Sequence, residues 1–326
     1  PISGTCPSGR HLGDNRGMNA SLIPYLKEIG RGKDGMRNLT FEQARQLWGW
    51  ILDGQVGDLE LGAFCIAMRI KSETPEEMAG FLDATHARLR VPASLHPDPA
   101  RATVVLPSYN GARKLPLLTP LLAVLLQRAG LQVLLHGMRT EARRITAPEV
   151  LAAMSAGLNA SGDTLPAWVD TGALCPGLPR ILRVRYSVGL RNSAHSLVKL
   201  MNPLAGTPAA ARTIVVGSYT HPEYAESMAA TIALMQGHAL LLRGTEGEPV
   251  ADPRRLPQLN GYLHGTLAAQ RPAQGGSLAS LPDPPQETTA EAAARYSLAV
   301  LRGELPVPQP LTEQVDLLRS MADELH

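Results

Sequence analysis

The spacing of apolar residues changes character once along this chain, and that change restricts the folds open to it. From Met18 to about Arg90 apolar side chains recur at helical intervals, as in Ala44, Leu47 and Ile51 and then Leu61, Phe64, Cys65 and Met68. Gly30-Arg31-Gly32, Asp53-Gly54 and Thr74-Pro75-Glu76-Glu77 punctuate the pattern, the last pairing a capping threonine with proline in the first turn. After a proline-rich joint at Pro92 to Pro99, short apolar runs take over at Thr103–Leu106, Gln132–Leu135, Thr213–Val216 and Ala239–Leu242, each suited to a strand buried on both faces. Leu117–Ala129, between the first two, fits a crossover helix. The predicted architecture is a small N-terminal all-helical domain, residues 18–91, and a larger α/β domain, residues 92–326, with a mostly parallel central sheet. Near the end, Thr288 with Glu291 reads as a capping box before an alanine-rich helix stopped by Gly303.

At 326 residues and 44% hydrophobic, the chain has enough apolar surface for two cores. Its longest apolar stretch, Leu115 to Leu126, contains two prolines and a threonine and falls short of the roughly 20 residues that cross a bilayer, so no membrane partner is expected. Residues 1–17 lack the apolar core of a signal peptide and read as an extension ahead of the fold. Cys6, Cys65 and Cys175 are odd in number and far apart, which suits neither a disulfide framework nor a zinc site and fits a reducing cytoplasm.

The net charge of +2 hides an uneven distribution. Residues 101–222 carry 13 Lys+Arg against 4 Asp+Glu, whereas residues 223–326 carry 7 against 13. From Thr171 to Pro222 there is no acid at all, while Arg180, Arg183, Arg185, Arg191, Lys199 and Arg212 are present. An anionic partner suits this segment. A solvated helix face, its charges answered by the acidic C-terminal third, suits it as well.

A run of short motifs carries a resemblance. Leu39-Thr40, Glu42-Gln43-Ala44, Asp53-Gly54-Gln55-Val56, Ala67-Met68-Arg69, Lys71-Ser72-Glu73-Thr74 and Glu76-Glu77-Met78-Ala79-Gly80 are similar to the N-terminal helical domain of anthranilate phosphoribosyltransferase. The likeness continues through His136-Gly137, Val184 to Asn202-Pro203 and Gly244-Thr245-Glu246-Gly247. It implies an active cleft between a helical and an α/β domain, helices from about 176 to 200 packed with the small domain, and a homodimer through the helical domain. It also implies a longer helical finish than Leu311 to His326 suggests.

Measured against that family, the substrate-holding residues are missing. Its glycine-rich GTGGD loop, where backbone amides approach pyrophosphate, reads Leu106-Pro107-Ser108-Tyr109-Asn110, and Pro107 removes a donor. Its NxST run reads Pro116-Leu117-Leu118-Thr119, its KHGN motif Leu135-His136-Gly137-Met138, and its tyrosine-histidine-proline motif Leu174-Cys175-Pro176. Arg185 falls where the family holds anthranilate, and the magnesium-binding Asp-Glu pair is replaced by Pro249-Val250. The candidate cleft loop is therefore Pro107, Ser108, Tyr109, Asn110 and Gly111 with Thr119, His136 and Gly137.

Cations gather around these losses: Arg113 and Lys114, then Arg139, Arg143 and Arg144, then the Arg180 to Arg191 series. On an ideal helix Arg180, Arg183 and Arg191 lie close to one face and Arg185 elsewhere. Together with Pro107-Ser108-Tyr109-Asn110-Gly111-Ala112-Arg113-Lys114 and Gly189-Leu190-Arg191-Asn192-Ser193-Ala194-His195, this pattern closely resembles the YbiB-like paralogues of the enzyme. The resemblance implies a nucleic-acid-binding protein without the transferase activity, with DNA or RNA as partner, no cofactor, no metal and no catalytic residue, in the cytoplasm or at the nucleoid. Arginine and lysine on a cleft wall hold a polyanion by neutralising phosphates, without reading sequence. Lys27, Arg31 and Lys33 extend such a surface, or simply line a turn between helices. Tyr109 and Tyr186 are candidates for stacking single strands.

The competing expectation is a transferase of the glycosyl or phosphoribosyl class, using Thr119, Arg113, Lys114 and Arg185, with phosphoribosyl pyrophosphate and magnesium. His136 and His195 have no nucleophile or carboxylate fixed nearby by spacing and read as packed residues. Cys175 becomes a reactive thiol only if neighbouring arginines lower its pKa.

Overall fold

The computed structural model describes residues 21–32, 34–92, 95, 97–139, 143–276, 283–285 and 287–325. The extension at residues 1–17 and Lys33 lie outside them.

The N-terminal part is helical: α1 (Ile23–Ile29), α2 (Phe41–Leu52), α3 (Asp58–Lys71) and α4 (Pro75–His86). Each start has a local cause. Thr40 and Gln43 cap α2 reciprocally, as Thr74 and Glu77 cap α4, and Glu60 accepts the Gly57 N–H ahead of α3. The apolar stripes meet in an aromatic cluster, Trp48 stacked on Phe81 at 4.5 Å with Phe64 at 6.1 Å from both. The Trp48 indole N–H, buried there, donates to Thr85 Oγ1 at 2.9 Å.

The remainder builds a seven-stranded sheet in the order β3-β2-β1-β4-β5-β6-β7. Strands β1 (Thr103–Ser108), β2 (Gln132–Gly137), β3 (Ala167–Asp170), β4 (Thr213–Tyr219) and β5 (Ala239–Arg243) are parallel, and β6 (Leu259–Leu263) and β7 (Thr266–Arg271) add an antiparallel hairpin. The four anticipated apolar runs are all strands, running on to Ser108, Gly137, Tyr219 and Arg243. Crossover helices α5 (Thr119–Arg128) and α6 (Ala147–Ser161) cover one face together with α11 (Ala290–Leu301) and α12 (Gln309–Asp323). The other face carries α10 (Glu223–Leu234) and shares one continuous apolar core with the helical domain. The fold is thus a small helical domain on a larger, mostly parallel α/β domain.

Between β3 and β4 the chain returns to the helical domain through α7 (Thr171–Leu174), α8 (Leu178–Val188) and α9 (Ala194–Leu197). Gly177 sits so close to Leu52 that a Cβ would meet its carbonyl oxygen at 2.3 Å, and Arg180 pairs with Asp58 and the Val56 carbonyl.

Two local expectations need correction. Helix α8 stops at Val188, where Gly189 takes the left-handed conformation at φ 73°, so Arg191 lies past the helix end and not on a face with Arg180 and Arg183. The cap of α11 is Thr289, which accepts from Ala292 N, and not Thr288. The segment beyond Pro308 forms α12, whose Leu311, Leu317, Leu318 and Met321 are buried. Strand β3 and the β6–β7 hairpin were not anticipated.

Candidate functional site

The sheet reverses its order of addition between β1 and β4, and in open α/β sheets ligands bind beyond the carboxyl ends of strands at that place. Here it is occupied by the loop after β1. Pro107 lies beyond the three residues of β1 that pair with β4, so its missing N–H falls where that ladder has ended. On the other side Gly137 approaches so closely that a Cβ would meet Ser108 O at 1.9 Å, which gives the glycine of His136-Gly137 a packing reason. His136 is buried, its Nδ1 3.2 Å from Thr171 Oγ1, and burial lowers its pKa to about 4.

Two carboxylates from the turn after β5 enter this loop. Glu248, fully buried, accepts from Ser108 Oγ, from Gly111 N at 2.7 Å and from Thr119 Oγ1 at 3.1 Å. Burial raises its pKa, against these donors and the Lys199 ammonium. Glu246 Oε2 accepts the backbone N–H groups of Arg113, Lys114 and Leu115 at 2.8, 3.0 and 3.2 Å. Partial burial would raise its pKa, but the three amides and Arg144 carry it below the ordinary value. Asn110 ties the turn down by donating to Glu246 O, and Gly247, at φ 83°, has no room for a Cβ against that amide.

The cationic residues fall into groups. Arg113 and Lys114 are exposed at the loop, Arg144 donates to Gly111 O at 3.0 Å beside them, and Arg143 is exposed next to it. Arg139 lies over the Trp168 ring at 5.1 Å on edge strand β3. On α8, Arg183 is exposed, Arg185 stacks on Tyr186 at 4.7 Å, and Arg180 is held by Asp58. Lys27 is exposed on α1, and Arg31 just beyond it pairs with Glu28 at 2.8 Å. Lys199 differs from all of these, being buried with its ammonium donating to Ser218 O at 3.0 Å; burial, and then Arg191, lower its pKa to about 8. Arg180 therefore draws its acid from the helical domain, while Glu246 and Glu248 of the C-terminal third go to backbone and hydroxyl donors.

Between the domains a cleft of about 580 Å³ is lined by Arg69, Glu73, Arg191, His195, Lys199 and Tyr219 among others. Burial raises the Glu73 pKa although Ser193 donates to it, and burial followed by Arg191 and Arg185 lowers that of His195 to about 3. His195 is thus a neutral packed residue. Tyr109 is also buried, edge-on to His195 at 5.8 Å, and offers no face to a base; Tyr186, more than half exposed, is the tyrosine at the surface. Burial raises the Cys175 thiol pKa more than Arg88 and Arg90 lower it, so the condition set for a reactive thiol there is not met.

The residues do not fit the magnesium site of the resemblance. Pro249 and Val250 carry no side-chain oxygen, and the two neighbouring carboxylates are already taken by N–H and O–H donors. Among the described residues no group of three or more His, Cys, Asp or Glu is placed to hold a metal ion, and no helix is long and apolar enough to cross a membrane. Glu246 and Glu248 were not among the anticipated site residues. Their signal is the Gly-Thr-Glu-Gly-Glu turn itself, in which two acids alternate across glycine.

The architecture is that of the anthranilate phosphoribosyltransferases. The enzyme from Thermus thermophilus superposes with a TM-score of 0.65 at 19% identity, over 92% of this chain and 96% of that one. The Saccharomyces cerevisiae enzyme in complex with PRPP and Mg gives 0.60 at 14% identity, over 93% and 94%. Residues 23–88 match the glycosyl transferase family, helical bundle domain. In sequence, YbiB of Escherichia coli is 37% identical over 300 residues, 89% of this chain and 91% of that protein. The anthranilate phosphoribosyltransferase of Pyrobaculum calidifontis is 27% identical over 294 residues, 86% and 83% of the two chains. The chain belongs to the YbiB family, a branch of the anthranilate phosphoribosyltransferase-like proteins.

Proposed function

We propose that this protein binds DNA or RNA through the phosphate backbone, without sequence readout, and that it works as a cytoplasmic or nucleoid-associated homodimer. The observation that carries the reading is the exchange at the loop after β1: its amides and hydroxyls are satisfied by Glu246 and Glu248, while Arg113, Lys114, Arg143 and Arg183 stand exposed. A small phosphorylated substrate has no cradle in that arrangement. A phosphate chain needs only side-chain cations spread over a surface, and the acid-free Thr171–Pro222 segment with its neighbours supplies them. Mobility shifts with single- and double-stranded DNA and RNA at several salt concentrations test this. Binding is expected at low salt and is expected to weaken steeply as salt rises; no shift at low salt, or one indifferent to salt, overturns it.

The dimer is proposed on the outer face of α3. Leu59 and Ile70 are exposed there by 88% and 72%, and with Gly62, Ala63 and Ile66 they form a stripe at helical spacing, continued by Val188 of α8. Such a stripe is a normal seat for a second helix layer.

The second reading, a glycosyl or phosphoribosyl transferase using phosphoribosyl pyrophosphate and magnesium, rests on the fold and on the cationic interdomain cleft with Arg191 and Lys199. It requires Thr119 and the loop amides to leave their carboxylate partners. Strong thermal stabilisation by phosphoribosyl pyrophosphate with magnesium would favour it.

A further inference from the structure

Three consecutive backbone N–H groups converging on one oxygen are the signature of an anion nest, a concavity that holds phosphate or carboxylate by main-chain dipoles alone. Residues Arg113, Lys114 and Leu115 form one, and Glu246 fills it from inside the chain. The turn that delivers Glu246 is shaped for the purpose. Glu246 itself adopts the left-handed conformation at φ 53°, ψ 20°, which a residue with a Cβ takes at a cost. Its carbonyl is clamped by Asn110 and the next one by Ser218 Oγ at 2.7 Å. The two carboxylates differ in one respect: Glu248 is sealed in the interior, whereas Glu246 is only partly buried and opens toward solvent.

We propose that Glu246 is a specificity-determining stopper: it occupies a working anion site and makes the protein refuse small phosphorylated ligands, and withdrawing that one side chain uncovers a site for phosphate or pyrophosphate. The uncovered site has three aligned amides, and the charge of Arg144 no longer faces a carboxylate. The proposal does not rest on the nucleic-acid reading, since it concerns backbone donors beneath the exposed side chains.

The test uses Glu246→Gly, which suits the left-handed backbone, and Glu246→Asn, which tolerates it and is too short to reach the amides. Wild type and variants, each checked for folding by circular dichroism, are titrated with inorganic pyrophosphate and with orthophosphate. Affinity is followed by calorimetry and the Arg113, Lys114 and Leu115 amide resonances by nuclear magnetic resonance. The expected result is at least a tenfold gain in pyrophosphate affinity in both variants, with those three amides shifting on binding and unmoved in wild type. Three results overturn the proposal: no gain in a folded variant, a gain that leaves the three amides where they were, or wild-type amides that already shift at the variants' concentrations.

Discussion

Lys71 and Glu77 form an ion pair at 2.6 Å in the interior of the helical domain, with side chains 3% and 0% exposed. Glu77 also accepts from Leu39 N and Thr74 N, and Lys71 donates to Asn38 Oδ1 and Ser72 O, so both charges are fully dressed. Breaking such a pair strands a buried charge, at a cost of about 3–5 kcal/mol. Glu77→Ala is expected to lower the stability of the protein by that amount, read as a lower urea midpoint at unchanged slope.

Removing cations should act on nucleic-acid binding evenly across sequences. Arg113→Gln, Lys114→Gln and Arg183→Gln, singly, are expected to weaken binding and to flatten the plot of log affinity against log salt by about 0.7–0.9 for each phosphate no longer neutralised. Arg180→Gln should leave that slope unchanged, because Asp58 already holds its guanidinium. Titrations of two unrelated sequences at several salt concentrations separate these outcomes.

The apolar stripe on α3 predicts the assembly state. Leu59→Asp with Ile70→Asp is expected to yield a folded monomer by sedimentation velocity, against the dimer proposed for the unaltered protein, since both residues are exposed and carry none of the core.

Buried histidines predict an acid-sensitive fold. His136 and His195 are buried and His86 partly so, and desolvation lowers their pKa values to about 4, 3 and 4. The unfolded chain takes up protons below its ordinary histidine pKa while the folded chain does not, so the stability they contribute is whole above about pH 6.5 and drains away as pH falls toward 4. Glu73 and Glu248, raised by burial, contribute with the opposite sign. Comparing urea midpoints of wild type and His136→Asn across this range cancels the carboxylates. The variant should lose less stability on acidification, by up to about 1 kcal/mol per pH unit.

Cys65 and Cys175 should be silent toward thiol reagents in the native state. Both are buried, and burial pushes the Cys65 thiol up to about 12. Alkylation followed by peptide mapping is expected to label them only in denaturant.

Much of the fold was readable because its signals are local. The capping threonine at 74 and the run Val104-Val105-Leu106 need no distant partner to be recognised. Ala167–Asp170 escaped notice because an edge strand of four residues, only partly buried, shows too little apolar length. The hairpin did carry a signal, His264-Gly265 both at positive φ between two strands, as a two-residue turn requires, but Leu259-Asn260-Gly261-Tyr262-Leu263 breaks its own alternation with a glycine. Arg191 was misplaced because the helix was carried through Gly189. The cations of the candidate site were visible one by one. The acids that fill the loop were not, since nothing near Glu246 in the chain announces that its partners are Arg113, Lys114 and Leu115.

The bonds from Gly111 to Glu248 and from Arg113 to Glu246 join residues 137 and 133 positions apart. The loop after β1 leaves the ribosome long before the acids that give it its shape, and closures over such separations come late in folding. Throughout synthesis of the intervening helices and strands, its amides face water. A chain that ends ahead of Gly244 lacks both acids, so the loop at the end of β1 takes its final shape only once the turn after β5 has been made.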